Sequence, residues 1–428
     1  MNTEINLKDT VKMKTFHPIL LLSTLLFLQF TSIEAQTKSD NDFLKECVEF
    51  AAAQTEKMLQ SVGEPNGRNY PRTMNEQGKL VTTGMYDWTP GFFSGNLWYL
   101  YELTGDQKWK TEARKWTVSL EKLKTFTGHH DLGFMMYCSY GNAERLASEP
   151  SYKEILVESA GSLASRFSER TRTIKSWNYR KAWNGTTEWF YPVIIDNMMN
   201  LEMLFYASRV SGDNRYRNVA MTHAETTLKN HFRKDFTTYH VVNYDTLSGK
   251  VLNQATCQGY SDNSTWSRGQ AWAIYGYTMV YRETGDKKFL AAAEKAFKAY
   301  AKRLPADLVP AWDFNAGQKG YLPEGESYAG RYNGKELRDA SAAAVTCSAL
   351  FELGKLTGKK EYVETAARML HSLASPAYRA KPGSNANFLL EHCVGSLPHQ
   401  NEIDKPLVYA DYYFLEALCR YKKLLRRL

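Results

Sequence analysis

Six short segments of this sequence carry carboxylates or arginine, four of them beside aromatic or histidine side chains. They are Tyr86-Asp87-Trp88-Thr89-Pro90-Gly91-Phe92-Phe93, His129-His130-Asp131-Leu132-Gly133-Phe134, Ile195-Asp196-Asn197-Met198, Trp266-Ser267-Arg268-Gly269-Gln270-Ala271-Trp272, Arg338-Asp339-Ala340-Ser341 and Tyr409-Ala410-Asp411-Tyr412. Brought into one pit, these residue types suit sugar binding. Aromatic faces stack on the apolar C–H faces of pyranoses, and Asp and Arg satisfy hydroxyls and any acid group. Paired carboxylates are also the acid/base machinery of glycosidic bond cleavage.

Each residue has a structural role open to it as well. Asp at a helix start is often an N-cap, and Asp131, Asp196, Asp339 and Asp411 all stand at expected starts. Asp196 is the most informative of the four, because Val193-Ile194-Ile195 precedes it and Met198-Met199 follows. Apolar surroundings desolvate a carboxylate and raise its pKa towards that of a useful proton donor. Adjacent histidines rarely aim at one ion, and no third ligand cluster accompanies His129 and His130, so no metal is expected. His240, within Thr238-Tyr239-His240-Val241, fits a strand or loop. The Asn-x-Thr matches at Asn184 and Asn263 carry little weight.

The elements that must gather these segments announce themselves through a recurring phrase: Thr104-Gly105-Asp106…Trp109, Ser211-Gly212-Asp213…Tyr216, Thr284-Gly285-Asp286…Phe289 and Thr357-Gly358-Lys359…Tyr362. A worn fifth copy is Ser148-Glu149-Pro150-Ser151-Tyr152. Gly in the left-handed conformation ends one helix, and the polar residue after it caps the next. Helical apolar spacing follows each turn, as in Phe289, Ala292, Ala293, Ala296, Phe297 and Tyr300. The five turns give ten helices, and stretches near Asp42–Gln60 and Tyr409–Leu425 bring the expected total to twelve. Consecutive hairpins in that number predict an all-α (α/α)6 toroid, six helices inside and six outside. Gly212, Gly285 and Gly358 follow at 73-residue intervals, longer than two helices need. Long loops must therefore join the hairpins on one face, and the six chemical segments lie at their ends.

Within the 428 residues, Lys8, Lys12 and Lys14 precede the apolar run Ile19–Leu28, and small residues lead to Ala35. Residues 1–35 read as a secretory signal peptide, with Met13 an alternative start, and the run is short for a membrane span. Export, most simply to a bacterial periplasm, is expected, with no membrane attachment after cleavage. Residues 36–428 show no linker and read as one catalytic domain. The six cysteines lack metal-ligand spacing, and several lie in apolar helical runs as small hydrophobes. The net charge of +8 favours anionic ligands by long-range steering. No basic cluster suggests nucleic acid, and surplus Lys on solvated helix faces explains the balance equally well. A monomer or weak oligomer is expected.

At these segments the chain resembles the unsaturated glucuronyl hydrolases, glycoside hydrolase family 88. The likeness is densest in Trp88–Gly95, His130–Phe134, Ile195–Asn200, Trp266–Trp272 and Tyr409–Tyr413. The resemblance implies action on the short oligosaccharides that polysaccharide lyases leave, whose non-reducing end is a uronate with a C4=C5 double bond. Hydration of that vinyl ether, instead of displacement at the anomeric carbon, breaks the sugar bond. By the same resemblance Asp196 is the general acid/base and Asp131 its partner. Trp88, Trp177 and Trp272 are stacking walls, Arg268 contacts the sugar, and His130, His240 and Gln258 hydrogen-bond substrate or water. No cofactor is implied, and the partner is an anionic unsaturated oligosaccharide. Hydrolases of this kind that prefer sulfate can carry a Ser- and Lys-bearing loop near the C-terminus. The comparable stretch here, Gly395–Asn401, has no Lys. Unsaturated rhamnogalacturonyl hydrolase, an (α/α)6 sugar epimerase and a non-catalytic oligosaccharide-binding protein are the alternatives.

Overall fold

The computed structural model describes Met1 and residues 18–182, 185–325, 327 and 334–426, with side chains in the first helix from residue 39 onward. Asn184 and much of the expected signal segment lie outside the described residues. The chain divides into two compact units, Met1–Glu46 and Cys47–Leu428. The second contains the site and is described from here on.

Every expected Gly turn forms. Gly105, Gly212, Gly285 and Gly358 adopt φ of 76°, 74°, 70° and 72° and close their helices on the carbonyls of Tyr101, Ser208, Tyr281 and Gly354. Asp106, Asp213 and Asp286 then accept hydrogen bonds from the backbone N–H of Lys108, Arg215 and Lys288, starting the next helix. These turns join α2 (Pro90–Thr104) to α3 (Gln107–Val118), α7 (Leu201–Ser211) to α8 (Asn214–Asn230), α9 (Ser267–Thr284) to α10 (Lys287–Ala301), and α11 (Ala340–Thr357) to α12 (Lys360–Leu373). The worn copy also turns, by another device. The column made of α4 (Leu132–Met136), a π-turn (Tyr137–Gly141) and α5 (Asn142–Ala147) ends at an extended Ser148, and Pro150 opens α6 (Pro150–Ala164). Proline suits a first helical position because its missing N–H would find no partner there. With the part of α1 (Pro18–Val62) from Cys47 onward and α13 (Val408–Leu425), the described residues of this unit make twelve helical columns.

Burial assigns the two rings. All residues of α9 from Ser267 to Val280, and of α11 from Ala340 to Phe351, are buried, as inner helices require. The outer α10 buries one stripe, Phe289, Ala292, Ala293, Ala296, Phe297 and Tyr300. The inner ring closes by α13 packing on both α11 and α2. Close approach at the site end is set by Gly91, where a Cβ would come within 2.3 Å of the Met135 carbonyl oxygen.

The long loops carry small antiparallel sheets, which the helical pattern alone does not announce. Three strands, Pro192–Ile194, Val241–Tyr244 and Val251–Ala255, pair in that order, with Val193 opposite Val242 and Val242 opposite Gln254. In this sheet Ile194, Val241 and Ala255 form one row. Asp196 follows the first, His240 precedes the second and Gln258 follows the third, so one sheet edge delivers three of the expected site residues. A hairpin of Cys393–Ser396 and Asn401–Lys405 stands over the same face. All six cysteines are buried, and none forms a disulfide.

Candidate active site

The helix starts of the inner ring do converge, and the carboxylates there do different work. Asp339 is a cap, its Oδ1 accepting from Ser341 N–H at 3.1 Å, while its Oδ2 takes the Arg268 guanidinium at 2.7 Å. Asp411 clasps a loop, accepting the N–H groups of Leu389 and Leu390 at 3.0 and 3.1 Å. Burial pushes its carboxyl up to about 8, against those two bonds. Asp131 stands at an N-cap and makes no capping bond, while Asp196 lies inside a short 3-10 turn (Ile195–Asn200) whose N-cap position is Ile194.

These two carboxyls are driven apart electrically. Burial works against ionising Asp131, yet the neighbouring His130 and His129 reverse the balance and leave its pKa below the usual carboxylate value. His129 Nδ1 lies 3.1 Å from Asp131 Oδ2, and its Nε2 is 3.2 Å from the Tyr86 carbonyl. Both contacts suit a protonated ring, and the pair with Asp131 raises the His129 pKa despite burial. For Asp196 burial wins. Desolvation, reinforced by the charge of Asp131, lifts its pKa to about 7, while Arg268, its own N–H and the indole N–H of Trp272 pull the other way. One carboxyl ionised and one protonated near neutral pH is the division of labour an acid/base site needs.

The polar atoms around Asp196 are unsatisfied. Asp196 Oδ2, His240 Nε2 and Trp272 Nε1 are buried and none makes a full hydrogen bond among the described residues, although the indole N–H faces the Asp196 carboxyl. Orphaned buried polar atoms are rare and expensive, and their clustering marks a place for a polar ligand. The histidine is oriented for it. His240 Nδ1 accepts the backbone N–H groups of Cys257 and Gln258 at 3.0 and 3.2 Å. Burial holds the ring neutral, so its proton is on Nε2, 3.8 Å from Asp196 Oδ2.

The expected site residues fall into two groups. Trp88, Trp177 and Gln258 are half-buried. Trp88 leans on Tyr409, Phe134 and Phe92 with centroids 4.8, 5.7 and 5.7 Å away. His130, Trp272 and Arg268, at 0%, 0% and 2% exposure, are enclosed by the protein. Trp272 is packed between Phe134 and Tyr413 at 5.3 and 5.4 Å and presents its N–H to Asp196. Arg268 spends its fork on the protein, donating to Asp339, Ser341, Gln258 and the carbonyls of Val394 and Gly395. Its plane sits over Trp266 and Tyr409 at 4.6 and 5.4 Å. It therefore bears on Asp196 as a fixed charge. Sequence reasoning missed Asp339 as the holder of Arg268, and missed Arg180 and His399 beside Trp177. No local pattern singles out the last two, since a hairpin and a separate loop bring them together.

A closed double ring of helices, with a divided pair of carboxyls among aromatics at the inner helix starts, defines a carbohydrate-active enzyme of the (α/α)6 class. The chain belongs to Glycosyl Hydrolase Family 88, whose model matches residues 67–416. It is 47% identical over 363 residues to an unsaturated glucuronyl hydrolase of Formosa agariphila, covering 83% of this chain and 86% of that one. An unsaturated chondroitin disaccharide hydrolase of Streptococcus pyogenes is 31% identical, covering 83% and 86%. The crystal structure of an unsaturated glucuronyl hydrolase specific for heparin superposes with a TM-score of 0.81 at 43% identity, covering 91% of this chain and 99% of the other.

Proposed function

We propose that the protein is an unsaturated glucuronyl hydrolase that removes the 4,5-unsaturated uronate from the non-reducing end of lyase-generated oligosaccharides, of glycosaminoglycan type first of all. The observation that carries this reading is Asp196, a buried carboxyl with a pKa of about 7, beside an ionised Asp131 and a neutral His240. A vinyl ether reacts when a proton adds to C4 and leaves an oxocarbenium-like cation centred on C5. Asp196 supplies that proton, and Asp131 contributes negative charge nearby. Water then adds its oxygen to C5, and its surplus proton returns to the Asp196 carboxylate. The hemiketal so formed opens to a C5 ketone, and the hemiacetal at C1 expels the next sugar as an alcohol. One water is consumed and the catalyst is restored. Because chemistry starts at C4 and C5, the carboxylate separation that distinguishes retaining from inverting glycosidases has no bearing here.

His240, through its Nε2–H, and Trp272, through its indole N–H, support the carboxylate form of Asp196 after it has given up its proton. Trp88 and Trp177 border the sugar. The same reading includes an exported, periplasmic protein with residues 1–35 removed. The support is the apolar run behind Lys8, Lys12 and Lys14, and the N-terminal sequence of protein from a periplasmic fraction tests it.

The defining experiment mixes the protein with unsaturated uronyl disaccharides and follows the absorbance of the conjugated double bond. The wild type should remove it and Asp196→Asn should not, with folding checked by circular dichroism. Unchanged absorbance with wild-type protein on every uronyl disaccharide would overturn the reading.

A further inference from the structure

His129 lies between the segment that carries Trp88 and the carboxylate of Asp131. Its ring is half-buried and meets Phe126 edge-on at 4.8 Å. Each ring nitrogen faces an oxygen: Nδ1 is 3.1 Å from Asp131 Oδ2, and Nε2 is 3.2 Å from the Tyr86 carbonyl oxygen. A neutral imidazole carries one N–H and one lone pair. With the proton on Nε2, the Nδ1 lone pair opposes the Asp131 carboxylate, although the Asp131 N–H at 3.3 Å offers it a bond. With the proton on Nδ1, the Nε2 lone pair opposes the Tyr86 carbonyl. Only the imidazolium donates to both oxygens. The charged and titratable groups that face the ring are Asp131, His130 and Arg166. Asp131 favours the ring's proton and outweighs burial, while Arg166, held by the carbonyls of Lys175 and Ser176, opposes it. His130 Nε2 is 3.4 Å from Asp131 Oδ1, but burial holds its pKa down to about 4. The imidazole that brings positive charge to Asp131 near neutral pH is therefore His129.

We propose that His129 is a positioning residue for the hydration reaction: as an imidazolium it ties Asp131 to the Tyr86 carbonyl, and so fixes both the negative charge near Asp196 and the segment that carries Trp88. The proposal rests on the function proposed above and assigns a further residue to the same site. The Trp88 segment is then held at two successive residues. Asp87 pairs with Arg72 and accepts the N–H and hydroxyl of Thr89 at 3.0 and 2.6 Å. Tyr86 is held through its carbonyl by His129, and Trp88 follows directly. On the other side of the ring, the Nδ1–H bond orients Asp131 Oδ2. Asp131 is in turn one of the charges that raise the Asp196 pKa. An opposite charge this close typically keeps a carboxylate ionised to a pH lower by roughly 1–3 units. His129 thus acts through Asp131 and Trp88.

The test has two arms. Nitrogen-15 NMR of histidine-labelled protein, without substrate, follows the His129 ring from about pH 5 to about 9, with His129→Gln identifying its resonances. In wild type the ring should keep both protons past the ordinary 6.5. Asp131→Asn should move its titration down by about one pH unit or more. The second arm measures kcat and KM across pH on an unsaturated uronyl disaccharide for wild type, His129→Gln and His129→Arg. In His129→Gln the acid limb of kcat/KM, which reports protonation of Asp131, should move up by about one pH unit or more. KM at the optimum should rise as Trp88 loses one of its holds. His129→Arg keeps the charge and should return the limb part of the way. A merely structural role would lower activity at every pH alike and leave the limb in place. A wild-type ring that loses its proton at or below 6.5, or a His129→Gln acid limb that coincides with wild type, would overturn the proposal and leave His129 as packing on Phe126. An unchanged KM would overturn the hold on Trp88. Failure of wild type to turn over any uronyl disaccharide counts against the function proposed above, whatever the NMR titration shows.

Discussion

Replacing Asp196 with Asn should abolish activity and make the protein more stable at alkaline pH. The folded chain holds this carboxyl at a pKa of about 7 against an ordinary 3.8, chiefly by burial. A folded pKa above the unfolded one means that the unfolded chain gives up its proton first as pH rises. The contribution of Asp196 to stability is therefore largest below about pH 4, falls between there and pH 7, and stays reduced above it. The full cost above pH 7 is on the order of 4 kcal/mol. Asn has the same shape and cannot ionise, so the variant escapes that cost. Thermal unfolding at steps from pH 4.5 to 8.5 should show wild type and variant converging at the acid end. At the alkaline end Asp196→Asn should unfold several degrees higher. A variant less stable than wild type at pH 8.5, or a gap that does not change with pH, would refute the claim that Asp196 is stored as a destabilised acid.

Asp131→Asn removes the negative charge that helps raise the Asp196 pKa. The alkaline limb of the kcat/KM profile, which reports loss of protonated Asp196, should move to lower pH, and an unmoved limb counts against the coupling. Gly91→Ala should destabilise by about 3 kcal/mol in denaturant titration, because its Cβ would meet the Met135 carbonyl oxygen at 2.3 Å. Asp339→Asn leaves the buried Arg268 without its ion partner. It should cost about 3–5 kcal/mol of stability, and uncompensated positive charge should lower the Asp196 pKa and pull the alkaline limb down.

How far the sequence carried depended on whether a feature was local. The Gly turns were legible because a left-handed Gly and its capping Asp are set by neighbouring residues. Even the worn copy turned, with Pro150 taking over the helix start. The raised pKa of Asp196 was legible too, since the apolar residues that desolvate it are adjacent in sequence. The four carboxylates at helix starts could not be told apart in the same way. Asp339 and Asp411 differ from Asp131 and Asp196 only through Arg268 and the N–H groups of Leu389 and Leu390, which reach them across the fold. The short sheet that delivers Asp196, His240 and Gln258 was hidden because its strands are three to five residues long and give no sustained alternation. Which of Trp88, Trp177 and Trp272 keeps a face towards the pit depended on the packing of Phe134 and Tyr413, which no spacing rule reports.

The claim that Asp196 adds a proton to C4 is tested most directly by running the reaction in D2O and taking early NMR spectra of the released uronate. Hydration predicts one deuterium at C4, on a single face, in the first product formed, at a rate equal to release of the second sugar. Release of that sugar with the C4=C5 bond still present in the uronate, and no deuterium at C4, would contradict the account.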